Sequence, residues 1–202
     1  MLENVVYFSG PSGNGKTGLI QNLVDRNSLF LPGNPEKLNR LKHTRDKMRK
    51  FPSYFEYAIA KIDERVGNAR FHATMELQHP GTVILGDRSV HDTTVYIRAG
   101  VLYGWLTPPQ VNELLVYQKE KHPLELMPQK TVFLDFPLPE LMAHLKRRWK
   151  MEGKGERESE EYLSIDIGLF RKHFGTLDNV LRITEKKEEN IDVIESWIRE
   201  IC

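Results

Sequence analysis

The sequence predicts an α/β domain in which a parallel sheet is covered by helices. Short β-prone apolar runs alternate along it with longer segments of helical spacing, and a glycine-rich turn joins the first run to the first helix. A single cysteine, Cys202, in 202 residues rules out a disulfide framework or a cysteine metal cluster in place of a core. That length suits one domain over 1–202 with a sizeable core. The balance of 29 basic against 28 acidic residues gives no global attraction to nucleic acid or membrane. The N-terminal apolar run is short and leads into the glycine-rich turn rather than a cleavage site, and no stretch is long enough to span a bilayer. The expected compartment is the reducing cytoplasm.

The first strand is the run Val5-Val6-Tyr7-Phe8, and Leu19, Ile20, Leu23 and Val24 carry helical spacing after the turn. Between them Gly10 to Thr17 read Gly-Pro-Ser-Gly-Asn-Gly-Lys-Thr, fitting G-x-x-x-x-G-K-[ST] at every fixed position. Phosphate oxygens need many donors at close range with no side chains in the way. Gly10, Gly13 and Gly15 give that access, and the backbone of Ser12 and Asn14 completes the cradle. Lys16 reaches the β and γ groups of a triphosphate, and the Thr17 hydroxyl is a magnesium ligand. A plain glycine turn would not call for Lys then Thr at its exit.

A second strand is expected over Ser28–Leu31, stopped by Pro32-Gly33-Asn34-Pro35. A basic stretch follows from Lys37 to Lys50; a solvated helix face is the usual fate of such a run. The next helix opens on a capping box, Ser53 with Glu56 three residues on. Phe55, Ile59, Ile62, Val66, Ala69 and Ala73 form its apolar stripe, and Gly67 marks a bend or a close approach.

Thr82–Gly86 is the third strand and delivers Asp87-Arg88-Ser89 to its carboxyl end, where ligands of open α/β sheets bind. An acid there holds magnesium, and an arginine binds substrate or steadies charge during transfer. A surface salt bridge is the plain alternative. Thr131–Asp135 is a fourth strand, followed by a helix with His144, Lys146, Arg147, Arg148 and Lys150 that loosens into a glycine-containing flap, giving a lid over about 144–160. Val180–Ile183 is the last strand, and Ile191–Ile201 an amphipathic closing helix.

A phosphate loop at the N-terminus, Asp-Arg-Ser after the third strand, Phe-Leu-Asp before a proline and a Lys-Arg-Arg lid together resemble the thymidylate kinase and deoxynucleoside kinase superfamily. The resemblance covers nearly the whole chain, the phosphate loop being its one motif specific by itself. It implies a P-loop kinase fold with a five-stranded parallel sheet, ATP and Mg2+ as the donor complex, and a homodimer. Lys16 and Thr17 match the donor-phosphate and magnesium positions, and Arg148 the central lid arginine. Asp87 and Arg88 match the acid-arginine pair, with Ser89 in the deoxynucleoside kinase form where thymidylate kinases show tyrosine.

The lid departs from the pattern at His144 and Lys150, where arginines are typical. So does the acceptor side: Asn34-Pro35 stands where deoxynucleoside kinases carry Glu-Pro, and Leu31 where the Glu-Pro-Gly of thymidylate kinases has its acid. Glu36, Asp87 and Asp92 are the candidates for the missing base. The expected reaction is transfer from ATP to a deoxynucleoside or deoxynucleoside monophosphate. The cations of 37–50 also suit a DNA acceptor, as in the viral branch that phosphorylates hydroxymethylated pyrimidines within DNA. A P-loop NTPase and a nucleotide-binding regulator without catalysis are the other two classes.

Overall fold

The computed structural model describes residues 2–34, 51–152 and 159–202, with backbone alone at 151 and 152. Five strands form one parallel sheet in the order β2-β3-β1-β4-β5: β1 (Val5–Ser9), β2 (Phe30–Pro32), β3 (Val83–Asp87), β4 (Lys130–Leu134) and β5 (Val180–Ile183). Around it lie α1 (Lys16–Arg26), α2 (Tyr54–Gln78), α3 (Val90–Leu102), α4 (Pro108–Lys121), α5 (Leu138–Glu152), α6 (Glu160–Phe174) and α7 (Asn190–Ile201).

Both faces of the sheet are covered. Val6 and Phe8 of β1 share a core with Ile20 and Leu23 of α1 and Ile194 and Ile198 of α7. Val5 and Tyr7 point the other way, packing with Leu2 and Ile84. Successive strand side chains face opposite sides, so a strand buried on both reads as a continuous apolar run, which is how β1 announces itself. Farther along the sheet Phe133 stacks on Phe174, ring centroids 5.0 Å apart, in a cluster with Val95 and Phe170.

Several expected elements move. The second strand lies at Phe30–Pro32 and includes the proline expected to stop it. β2 is an edge strand, and the N–H groups facing β3 alternate, as in Gly33 N–H to Leu85 O at 2.9 Å, so Pro32 falls on the outward side where no donor is needed. Gly67 marks neither bend nor close approach: α2 runs unbroken past it, and a Cβ there would meet nothing within 4 Å. The stripe of α2 is rotated, with Phe55, Ile59 and Ala73 half-buried and Tyr57, Ala58, Arg65 and His72 joining Ile62, Val66 and Ala69 inside.

The sequence reading places no element over α3, α4 or α6. Along α3 only Arg98 and Leu102 are exposed, so its apolar residues gather on no single face and show no helical period.

Two features position the site. Register sets Phe8 opposite Asp87, and the Arg88 N–H donates to Phe8 O at 3.0 Å, so the carboxyl ends of β1 and β3 lie level. A buried relay then fixes the exit of β2: Tyr7 Oη lies 2.9 Å from His72 Nδ1, and His72 Nε2 lies 2.9 Å from Gly33 O. A carbonyl only accepts, so Nε2 carries the proton and Nδ1 accepts from the phenol. Burial raises the Tyr7 phenol above its usual range, keeping it a donor, with Glu76 adding and Arg65 opposing. Gly33 is required here, because a Cβ would come within 2.6 Å of His72 Nε2.

Candidate active site

Between β1 and α1 the chain takes positive φ at Gly10 (134°), Gly13 (87°) and Gly15 (77°). At Gly10 a Cβ would stand 2.5 Å from Leu134 O. Gly15 caps α1 with no side-chain hydrogen bond, and no acid occupies the first turn. The positive end of the helix is thus left for an anion.

Lys16, only 6% exposed, lies under this loop and donates to Gly10 O and Pro11 O at 3.0 Å and to Asn14 Oδ1 at 2.6 Å. Burial pulls its ammonium well below the usual range; Arg88 and Arg148 push the same way, and Asp87 and Asp92 oppose. A buried cation bonded to neutral oxygens is left wanting an anion. Asn14 anchors the loop to β4 through Nδ2 to Leu134 O at 3.1 Å.

Thr17 Oγ1 donates to Asp87 Oδ2 at 3.0 Å, which joins the two expected magnesium positions across the sheet. A hydroxyl and a carboxylate, both hard oxygen donors, fit that ion.

Arg88 is the hinge of the site. Its φ is 69°, a left-handed conformation uncommon for a side-chain-bearing residue. Its NH1 reaches Gly10 O (3.2 Å), Asp92 Oδ1 (3.1 Å) and Tyr96 Oη (2.9 Å), and the Tyr96 ring centroid lies 5.3 Å from its Cζ. Burial works against the guanidinium charge, but Tyr96, Asp92 and Asp87 outweigh it and hold Arg88 ionised.

Asp92 is 1% exposed and its oxygens are taken: Ser9 Oγ donates at 2.6 Å, Ser89 N–H at 3.0 Å, Arg88 at 3.1 Å and Gly10 N–H at 3.4 Å. With Ser89 it forms the capping box of α3. It ties the phosphate loop, Arg88 and α3 together.

On α5, His144 Nδ1 bonds Gly13 O, and Arg148 follows one turn later. Burial, then Lys186, Arg147 and Arg148, hold the His144 imidazole below its usual range against the Gly13 bond.

Three cavities share walls among these residues. A cleft of about 270 Å³ is lined by Ser12 to Gly18 with Asp87, Arg88, His144 and Arg148. Ser12 and Arg88 also line a pocket of about 150 Å³ walled by Tyr54, Tyr57, Lys61 and Arg65 of α2 and Thr93 and Tyr96 of α3. On the other side Asn14, Gly15, Gly18 and His144 open on a cavity of about 640 Å³ bounded by Leu19, Ile183, Lys186 and Asn190.

The structure therefore gathers Gly10, Ser12, Gly13, Asn14, Gly15, Lys16, Thr17, Asp87, Arg88, Asp92 and Arg148 in one place. Glu36, the basic stretch 37–50 and the flap at 153–157 lie outside the described residues. The α2 wall was missed by sequence reasoning, yet a signal existed. Ala58, Ile62, Arg65, Ala69 and His72 share a helical row, and two polar residues on an otherwise apolar row mark a buried polar job. Arg65 donates to Asp87 O at 3.4 Å.

No family model matches the sequence, and no curated protein does. Among solved structures the chain is similar to deoxyadenosine kinase from M. mycoides with products dCMP and a flexible dCDP bound, at TM-score 0.68 and 14% identity over 98% of this chain and 100% of that one. The same kinase with bound dCTP matches at TM-score 0.62 and 12% identity over the same shares. The fold is therefore that of a deoxynucleoside kinase: a five-stranded all-parallel sheet flanked by helices. No helix among the described residues is long and apolar enough to cross a membrane.

Proposed function

We propose that this chain transfers the γ-phosphoryl group of ATP to a nucleoside-type acceptor, a deoxynucleoside or deoxynucleoside monophosphate. The observation that carries this is that the phosphate cleft shares Ser12 and Arg88 with the smaller pocket and Asn14 and His144 with the larger cavity. A pocket on either side of a phosphate cleft, each sharing residues with it, suits transfer between two bound nucleotides. That a kinase of this fold holds dCMP and dCDP as products supports the same substrate class.

The chemistry is positioning and charge neutralisation. Lys16 exchanges its carbonyl oxygens for the β and γ phosphates. Thr17 and Asp87 hold magnesium, which when bound neutralises phosphate charge. Arg88, at the junction of pocket and cleft, and Arg148, from the lid, face the transferring group. Tyr54 and Tyr57 offer ring faces to a base. Lys61, Arg65 and Arg88 around one small pocket favour an acceptor that already carries phosphate. Asp92, whose oxygens already accept from Ser9, Gly10, Arg88 and Ser89, serves as an anchor of the site rather than as the base for the hydroxyl proton.

A walled acceptor pocket favours transfer over a hydrolytic switch. The homodimer and the cytoplasmic location rest on the resemblance and composition alone, and sedimentation tests the former. The test of the function is labelled ATP with magnesium against deoxynucleosides, their monophosphates and DNA oligonucleotides. Label in a deoxynucleotide product is expected; label in DNA alone moves the reading to a polymer acceptor, and label in no acceptor contradicts it.

A further inference from the structure

His144 lies on the donor side of the cleft and is bonded to the phosphate loop itself. Gly13 O can only accept, so His144 Nδ1 carries the ring proton, and a neutral imidazole then keeps a bare lone pair on Nε2. Among the described residues Nε2 makes no hydrogen bond. The ring lines both the phosphate cleft and the larger cavity beyond it. A lone pair is the wrong group to present to phosphate oxygens, whereas a protonated ring donates from both nitrogens.

We propose that His144 binds the donor's phosphates as an imidazolium, so that nucleotide binding draws a proton onto Nε2. This rests on the donor-site reading above and adds a proton to it. Charged groups reach the site from every element around it. Arg147 and Arg148 lie on its own helix α5, Lys16 comes from α1, and Asp87 and Arg88 stand at the end of β3. Lys186, Lys187 and Glu188 follow β5. The cations outnumber the acids, and with burial they hold the empty ring below its usual range, hence neutral at pH 7. A triphosphate reverses the sign of that field, and the ring's proton affinity rises. A site that binds more protons with ligand than without binds more tightly at lower pH. Arg148, one turn along, stays charged at any working pH, whereas His144 is charged when phosphate is present.

The test is titration calorimetry of the full chain with magnesium and ADP at neutral pH, in buffers of low and high ionisation enthalpy, for wild type, His144→Gln and His144→Arg. ADP releases its own residual proton alike in all three, so the difference isolates His144. Wild type is expected to take up a larger fraction of a proton than either variant. Relative to His144→Arg, its ADP affinity should fall by up to about tenfold per pH unit as pH rises through the bound-state titration. Equal proton uptake in wild type and His144→Arg overturns the inference, even if the Gln variant fails to fold. Absence of ADP binding in wild type overturns the donor site and this inference with it.

Discussion

Arg88 sits at φ 69° where three partners from two segments hold it: Gly10 O of the glycine-rich loop, and Asp92 and Tyr96 of α3. A conformation of this kind costs on the order of 1–3 kcal/mol and persists where the surroundings over-determine it. Removing the guanidinium leaves Asp92, buried to 1% exposure, with its bonds from Ser9, Gly10 and Ser89 but without this cation, so Arg88→Gln should destabilise the fold by about 1.5–3 kcal/mol as well as abolish transfer. Urea denaturation checks the first part, and an unchanged midpoint would count against the network. Lys16 is different, since its bonds go to neutral oxygens and its removal leaves no buried charge behind. Lys16→Ala should therefore keep its denaturation midpoint within about 1 kcal/mol while losing at least about 10²–10³-fold in turnover. Asp87→Asn keeps an oxygen near Thr17 but loses the charge that holds a divalent ion. Its turnover should demand more magnesium, with ADP binding less affected; an unchanged magnesium titration in the variant would remove Asp87 from the metal site.

At the scale of elements, the strands and the phosphate loop were legible because their signals are local. β1 and β5 read as apolar runs at their observed positions, and the loop's glycines and lysine are adjacent in sequence. α3 was not legible: it is rich in β-branched residues and buried nearly all round, so its helix depends on neighbours and on its cap. The Ser89-x-x-Asp92 signature is local, but an acid at that position suits a catalytic base as well as a cap. The wall of the proposed acceptor pocket was illegible for a related reason, since Tyr57, Arg65 and Tyr96 converge only when α2 packs on α3.

The first turn of α3 also carries a pH dependence. His91 Nδ1 lies 3.1 Å from His173 Nε2 of α6, and burial, then His173 and His122, lower the His91 imidazole to about 4, with Asp92 opposing. Between its usual value of 6.5 and about 4 the unfolded chain binds the proton that the folded chain refuses. Stability should therefore be full above that window and fall as pH drops through it. Denaturation midpoints at several pH values check this, and His91→Gln should flatten the slope.

At the scale of the molecule, the parallel sheet brings its carboxyl ends to one edge, and the helices that cover it wall that edge on both sides. In the proposed reaction the donor phosphates fall to the short segment from Gly10 to Thr17, and the acceptor to the pocket walled by α2 and α3. Replacing Tyr57 by Ala should raise the acceptor KM while leaving ADP affinity unchanged, because among the three cavities described the residue lines the proposed acceptor pocket alone. Steady-state kinetics beside calorimetry would separate the two, and equal losses on both sides would mean that the cavities do not divide the work.

The most direct measurement of the central claim is the fate of the γ-phosphoryl group, followed with labelled ATP and magnesium, with and without deoxynucleoside or monophosphate acceptors, for wild type and Lys16→Ala. The account predicts label in the acceptor, little in inorganic phosphate, and neither with the variant. Rapid release of labelled phosphate that ignores the acceptor, or transfer that survives the loss of Lys16, would contradict it.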